Sequence, residues 1–187
     1  TFPFPTKSWR NWKADLGKTV RILGLDPGLR HTGWAVIDSC DSRLSFVAAG
    51  VADSTDTLSL AQRLAELHRQ IRTVIADFQP AEAAIEQTFV NKNPESTLKL
   101  GQARGAVLLA PAMADIPVSE YTPNQIKKAV VGAGHAEKRQ VDMMVHTLLP
   151  AAGKLRPDAA DALAAAICHS YLRVTAERMK LLAELAK

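Results

Sequence analysis

Residues 21–38 read RILGLDPGLRHTGWAVID. Ile22, Leu23 and Leu25 make a short apolar run of the kind shown by a strand covered on both faces. Pro27-Gly28 breaks it, and Thr32 to Ile37, with Trp34, Val36 and Ile37, resumes strand composition. Two strands joined by a tight turn are expected, with Asp26 where the first one stops. A carboxylate there sits at the rim of a core, shielded yet reachable, which is costly unless a cation or donor compensates it. Taken alone, Asp26 has a plainer reading: turn aspartates commonly accept from amides such as those of Gly28 or Leu29.

Outward from this hairpin, Arg43 to Ala52 suggests a third strand and an antiparallel meander. Ser54 to Thr57 is a turn-and-cap cluster. Leu60, Leu64, Leu67, Ile71, Val74 and Phe78 then recur at spacings of three and four, which predicts an amphipathic helix with Arg63, Glu66, Arg69 and Arg72 outward and a stop at Pro80. Ala81 to Gln87 is too short for another helix and fits a central strand parallel to the first, completing a β-α-β unit. Asn93-Pro94 caps a helix running to about Ala114, on which Gly101 and Gly105 share a face that lets another backbone come close. Ile116 to Tyr121 reads as a fifth strand. Thr122-Pro123-Asn124-Gln125 is a capping box opening a helix to about Val131. After the Gly132-Ala133-Gly134 connector, Glu137 to Leu149 is helical with Val141, Met144, Val145 and Leu148 inward. Pro150 to Pro157 is a loop, and Asp158 begins a long helix reaching about Ala186.

The expected fold class is therefore α/β, a five-stranded mixed sheet flanked by helices. In such sheets sites gather at the carboxyl ends of the parallel strands, where Asp26 and Glu86 both fall. Residues 1–20, with two of the three Trp and no periodic pattern, read as a poorly ordered extension without the apolar segment of a secretory signal. Residues 21–175 form the domain, and 176–187 a helical C-terminal extension.

A chain of 187 residues with 47% hydrophobic content supports one sizeable core. Net charge is +4 and the pI about 9.2, which suits polyanionic partners. Cys40 and Cys168 are isolated, indicating neither a disulfide framework nor a zinc site, and point to a reducing, cytoplasmic setting. No apolar run approaches the roughly eighteen residues a membrane helix needs, so no membrane association is expected.

Three further carboxylates join Asp26. Glu86 ends the run Ala83-Ala84-Ile85, where a charge is out of place unless an arginine pairs with it or it faces outward on an edge strand. Asp158 and Asp161 share one face of a helix start, a pattern that helix-dipole preference alone also produces. Together the four could converge on one acidic cluster. Their repulsion would raise their pKa values unless a divalent cation sat among them, and an all-oxygen donor set suits Mg²⁺ or Mn²⁺. The five histidines, His31, His68, His135, His146 and His169, show no paired ligand spacing. The chemistry that uses two such ions about 4 Å apart is in-line attack on a phosphodiester.

LGLDPGLRHTGWAVID, AIEQTFVNKNPESTLKLGQARG, EYTPNQIKKAVVGAGHAEKRQV and DAADALAAAICH together resemble the RuvC family of Holliday-junction resolvases, in the family's order, over roughly Arg21 to Tyr171. The resemblance implies a ribonuclease H-like fold, a homodimer, and nicking of opposed strands of four-way junction DNA with two Mg²⁺ per active site, Mn²⁺ being able to substitute. It further implies branch-migration partners of the RuvA and RuvB type. By position it makes Asp26, Glu86, Asp158 and Asp161 the metal-binding catalytic carboxylates. Lys127 and Lys138 match basic residues near the cut, Lys138 also assisting the chemistry, and Phe89 an aromatic that stacks at the junction centre. Lys92 joins the DNA-binding set because it flanks Glu86 in a stretch where Lys92, Lys99, Arg104, Lys127, Lys128, Lys138 and Arg139 outnumber the acidic residues. Two other readings stand beside it. One is a ribonuclease H-like nuclease acting on RNA or an RNA–DNA hybrid. The other is an actin-like or sugar-kinase-like nucleotide binder, for which this chain lacks a second domain.

Overall fold

A computed structural model describes residues 18–87 and 93–185, with side chains to residue 175. The expected site residues Phe89 and Lys92 lie outside the described residues, as does most of the amino-terminal extension. The order is β1 (Val20–Asp26), β2 (His31–Cys40), β3 (Arg43–Asp53), α1 (Leu60–Phe78), β4 (Glu82–Glu86), α2 (Pro94–Met113), β5 (Val118–Tyr121), α3 (Pro123–Val131), α4 (Lys138–Leu148) and α5 (Pro157–Leu185). Each element that the sequence predicts is present, with ends moved by up to three residues, the largest shift being β2, expected to end at Ile37 and running to Cys40. The loop expected over 150–157 contains one short 3-10 turn, Pro150–Ala152.

The sheet order is β3-β2-β1-β4-β5, antiparallel among the first three strands and parallel across β1, β4 and β5. Alternation along the strands decides which residues meet which helices. Leu23, Leu25, Val36, Ala83 and Ile85 face α1 and α2, where Leu67, Ile71, Ala103 and Val107 bury them. Ile22, Ala35 and Ile37 face the opposite side, against α3, α4 and α5. Burial of each leucine, isoleucine or valine among them contributes about 1.5–3 kcal/mol. The same period of two therefore puts Gly24, Asp26, Gly33, Glu82, Glu86, Ser119 and Tyr121 on the α5 side of the sheet.

That side is unusually close to its helix. A Cβ built on Gly24 would stand 2.0 Å from the carbonyl oxygen of Ala162, and one on Gly33 1.9 Å from that of Asp158. Glycine inside these strands thus lets the backbone of α5 rest on β1 and β2. Among the described residues, nothing outside their own helical turn stands within 4 Å of a Cβ built on Gly101 or Gly105, which were expected to allow such an approach. Their face of α2 also presents exposed Leu98, Leu109 and Met113.

Capping follows the sequence. Ser59 and Gln62 form a capping box on α1, and Thr122 and Gln125 one on α3. Asn93 accepts from the amides of Glu95 and Ser96 at the start of α2. Arg63, expected on an outer face, is instead half-buried. It pairs with Asp56 and reaches the Leu29 carbonyl at 3.4 Å, bracing the turn after Asp26. The thiol of buried Cys168 is pushed up to about 12 by burial, so it stays protonated. Among the described residues no helix is long and apolar enough to cross a membrane.

Candidate active site

Asp26 closes β1 and Glu86 closes β4, neighbouring parallel strands. Both point to the face covered by α5, whose first turns carry Asp158 and Asp161. The turn reading of Asp26 does not account for it: the Gly28 amide bonds to the Thr32 hydroxyl at 3.3 Å, and that hydroxyl donates to the Gly28 carbonyl at 2.8 Å. Nor does Glu86 face outward on an edge, since β4 lies between β1 and β5.

Asp26, Glu86 and Asp161 line one cavity of about 230 Å³ together with Lys127, Lys138, Pro123 and Ile126. A liquid water occupies about 30 Å³, so several waters or a phosphate group fit. Asp158 is not in the lining, although its charge acts on Asp26 and Asp161. The loop that leads into it is held by Arg156, which bonds Asp53 at 2.9 Å across the β2-β3 end of the sheet. The structure thus brings together five of the sequence-expected side chains and leaves Asp158 beside the cavity.

The electrostatics are those of crowded acids. Burial, then Asp161 and Asp158, push Asp26 up to about 7, against the pull of Lys138. Burial, then Asp26 and Asp161, push Glu86 up to about 7, against Lys138 and Lys127. Lys138 Nζ donates to Asp161 Oδ2 at 2.6 Å. Burial nevertheless leaves Asp161 raised in net. For Lys138 burial works against the charge, and the Asp161 bond together with the charges of Asp161, Asp142 and Asp26 more than offsets it. A cation is therefore already drawn to this cavity, and it is a lysine.

Among the described residues, no group of three or more His, Cys, Asp or Glu side chains is gathered into an ion-holding cluster. The donor chemistry still fits a hard divalent cation: oxygen ligands only, partly desolvated, repelling one another, with an ammonium group standing where positive charge is favoured. Sequence reasoning overlooked the residues that bring this about. Gly24 and Gly33 admit α5, and their signal was glycine inside otherwise apolar strands. Arg63 and Arg156 brace the two loops, and only the tertiary structure shows it.

A model of the family "Crossover junction endodeoxyribonuclease RuvC" matches residues 22–169, which contain all four carboxylates and both lysines. The crossover junction endodeoxyribonuclease RuvC of Rhodopseudomonas palustris is 59% identical over 161 residues, covering 86% of this chain and 92% of its own length. That of Rhodospirillum rubrum is 59% identical over 162 residues, covering 87% and 96%. Among solved structures, T. thermophilus RuvC in complex with Holliday junction substrate superposes with a TM-score of 0.79 at 32% identity, over 84% of this chain and 96% of that one. The mixed sheet with α5 laid across its centre is accordingly the ribonuclease H-like fold of these resolvases. A family match over most of the chain and 59% identity to relatives of nearly the same length leave one conclusion: the chain belongs to the RuvC family of crossover junction endodeoxyribonucleases.

Proposed function

We propose that the protein resolves four-way DNA junctions by paired, symmetric hydrolytic nicks, in recombination and repair of cytoplasmic DNA. The observation that carries this is the convergence of Asp26, Glu86 and Asp161 with Lys127 and Lys138 on one open cavity at the strand ends. Asp26, Glu86, Asp158 and Asp161 would hold two Mg²⁺, or Mn²⁺ in their place, whose chemistry when bound is Lewis-acid activation of water and stabilisation of the leaving oxygen. The carboxylates also orient the attacking water by accepting its hydrogens. Lys138, released from Asp161, and Lys127, which lines the same cavity, neutralise the phosphate under attack. In-line attack expels the 3′ oxygen and leaves a 5′ phosphate and a 3′ hydroxyl. Phe89 stacking at the junction centre and Lys92 contacting a phosphate belong to the same reading.

Two opposed nicks call for two sites related by a twofold axis, hence a homodimer. The stripe Leu98, Gly101, Gly105, Leu109 and Met113 on α2 is the proposed contact, since it is exposed and its glycines are open. Partners of the RuvA and RuvB type would present the junction. The test is ligation: nicks made with Mg²⁺ should be sealed directly by DNA ligase. Products carrying a 3′ phosphate would rule the mechanism out.

The crowded acids also set a pH dependence. Asp26 and Glu86 bind protons more tightly folded, at about 7, than at their ordinary values of 3.8 and 4.5. Their folded state is therefore favoured at low pH, and that advantage is lost as pH rises from about 4 to about 7. Without divalent metal, the melting temperature should fall by roughly 5–10 °C between pH 5 and pH 7.5. Asp26→Asn should flatten this slope, and added Mg²⁺ should reverse the loss.

A further inference from the structure

His169 is buried on α5, eight residues beyond Asp161, and both of its ring nitrogens are engaged. Nε2 meets the Glu82 carboxylate at 2.7 Å, and Nδ1 meets the Tyr121 hydroxyl at 2.7 Å. A carboxylate can only accept, so Nε2 carries the hydrogen, and the hydroxyl completes the other side. Arg173, one helical turn on, stands 3.6 Å from the same Glu82 oxygen. Glu82 is half-buried, and burial alone would raise it, yet the His169 bond and Arg173 hold it below its usual range.

These partners sit on the elements that carry the cavity. Glu82 and Glu86 are the two ends of β4. Tyr121 lies opposite Glu86 in the β4-β5 register and directly precedes the cap of α3, which carries Lys127. The distances agree: eight helical residues advance about 12 Å and four strand residues about 13 Å. With α5 running antiparallel to β4, a contact between His169 and Glu82 at one end fixes how Asp161 stands against Glu86 at the other.

Something has to fix it. Where α5 crosses β1 its closest approach is Ala162 and Ala166 on Gly24, beside the buried Leu163 and Ile167. Over β2 the Ser170 hydroxyl meets that of Ser39 at 2.7 Å, while over β4 and β5 the directional contacts come from His169. Directional hydrogen bonds lose strength steeply with displacement, so this part-buried polar set specifies a position more sharply than non-directional apolar packing does. We propose that His169, Glu82 and Tyr121 are positioning residues, a pin that sets the register of α5 on β4 and β5 and thereby the spacing of the metal-binding carboxylates. This rests on the metal-binding reading of the cavity given above.

The test measures Mn²⁺ binding by calorimetry in the absence of DNA, well below each variant's melting temperature. Glu82→Ala should weaken Mn²⁺ binding about tenfold, in the range seen when partners of metal ligands are lost. Glu82→Gln, whose amide oxygen still accepts from His169, should return it to within about threefold of the unaltered protein. Leu67→Ala, in the core on the opposite face of the sheet, should lower the melting temperature yet leave Mn²⁺ binding unchanged. If Glu82→Ala does not fold, Tyr121→Phe carries the same expectation with a smaller loss of about threefold. The proposal is overturned by unchanged binding in Glu82→Ala (or in Tyr121→Phe), by Glu82→Gln as weak as Glu82→Ala, or by an equal loss in Leu67→Ala. Absence of Mn²⁺ binding in the unaltered protein would refute the metal reading itself, and the pin with it.

Discussion

Asp26→Asn should abolish junction cleavage, by a thousandfold or more, while junction binding and the fold persist. A thousandfold loss corresponds to about 4 kcal/mol of transition-state stabilisation. The side chain sits where three carboxylates and two lysines share a cavity, and its amide analogue keeps the shape while losing the charge. Because burial and the neighbouring acids push this carboxyl up to about 7, ionised Asp26 is a burden on the metal-free fold. The variant should therefore melt at the same temperature as the unaltered protein, or higher, at pH 7.5. Stability and activity move in opposite directions, which an ordinary structural aspartate would not show. Cleavage within tenfold of the unaltered rate at saturating Mg²⁺ would contradict the assignment.

Gly33→Ala should be the most damaging single methyl group near the site. The added carbon would fall 1.9 Å from the Asp158 carbonyl oxygen and 3.0 Å from the Ala159 amide nitrogen. Both are backbone atoms, so relief requires moving the start of α5 away from β2. Overpacking of this kind costs about 3 kcal/mol or more. For a chain of this size that corresponds to a drop of roughly 6–12 °C in melting temperature. Since Asp158 and Asp161 ride on the displaced turn, the folded fraction should also cleave at least about a hundredfold more slowly. A variant that melts normally and cuts normally would show that the helix has room that the structure denies it.

The sheet and its helices were legible because their signals are local. Leu23 and Leu25 against Asp26, the spacing from Leu60 to Phe78, and the capping boxes at Ser59 and Thr122 each specify an element without outside help. The four carboxylates were singled out for a different reason: Asp26 and Glu86 stand at the ends of apolar runs, where a charge is costly, and Asp158 and Asp161 join them only through the combination and the family resemblance. What the sequence hid was relative placement. Gly24 and Gly33 drew no reading from the sequence, whereas Gly101 and Gly105 looked like a contact face. Only the strand alternation and the path of α5 reverse that assignment within the chain. His169 was one of five scattered histidines, since Glu82 and Tyr121 lie 87 and 48 residues away in sequence. Asp158 and Asp161 looked equivalent at three residues apart, yet only Asp161 lines the cavity.

The central claim is that this acidic cavity serves four-way DNA junctions rather than nucleic acid in general. The measurement that tests it most directly incubates the protein and Mg²⁺ with a labelled mobile four-way junction, a linear duplex of the same sequence and an RNA–DNA hybrid. Paired nicks at symmetric positions on opposed strands of the junction are expected, with the duplex and the hybrid left intact. Cutting of the hybrid at a comparable rate, or single unpaired nicks shared equally with the duplex, would contradict it.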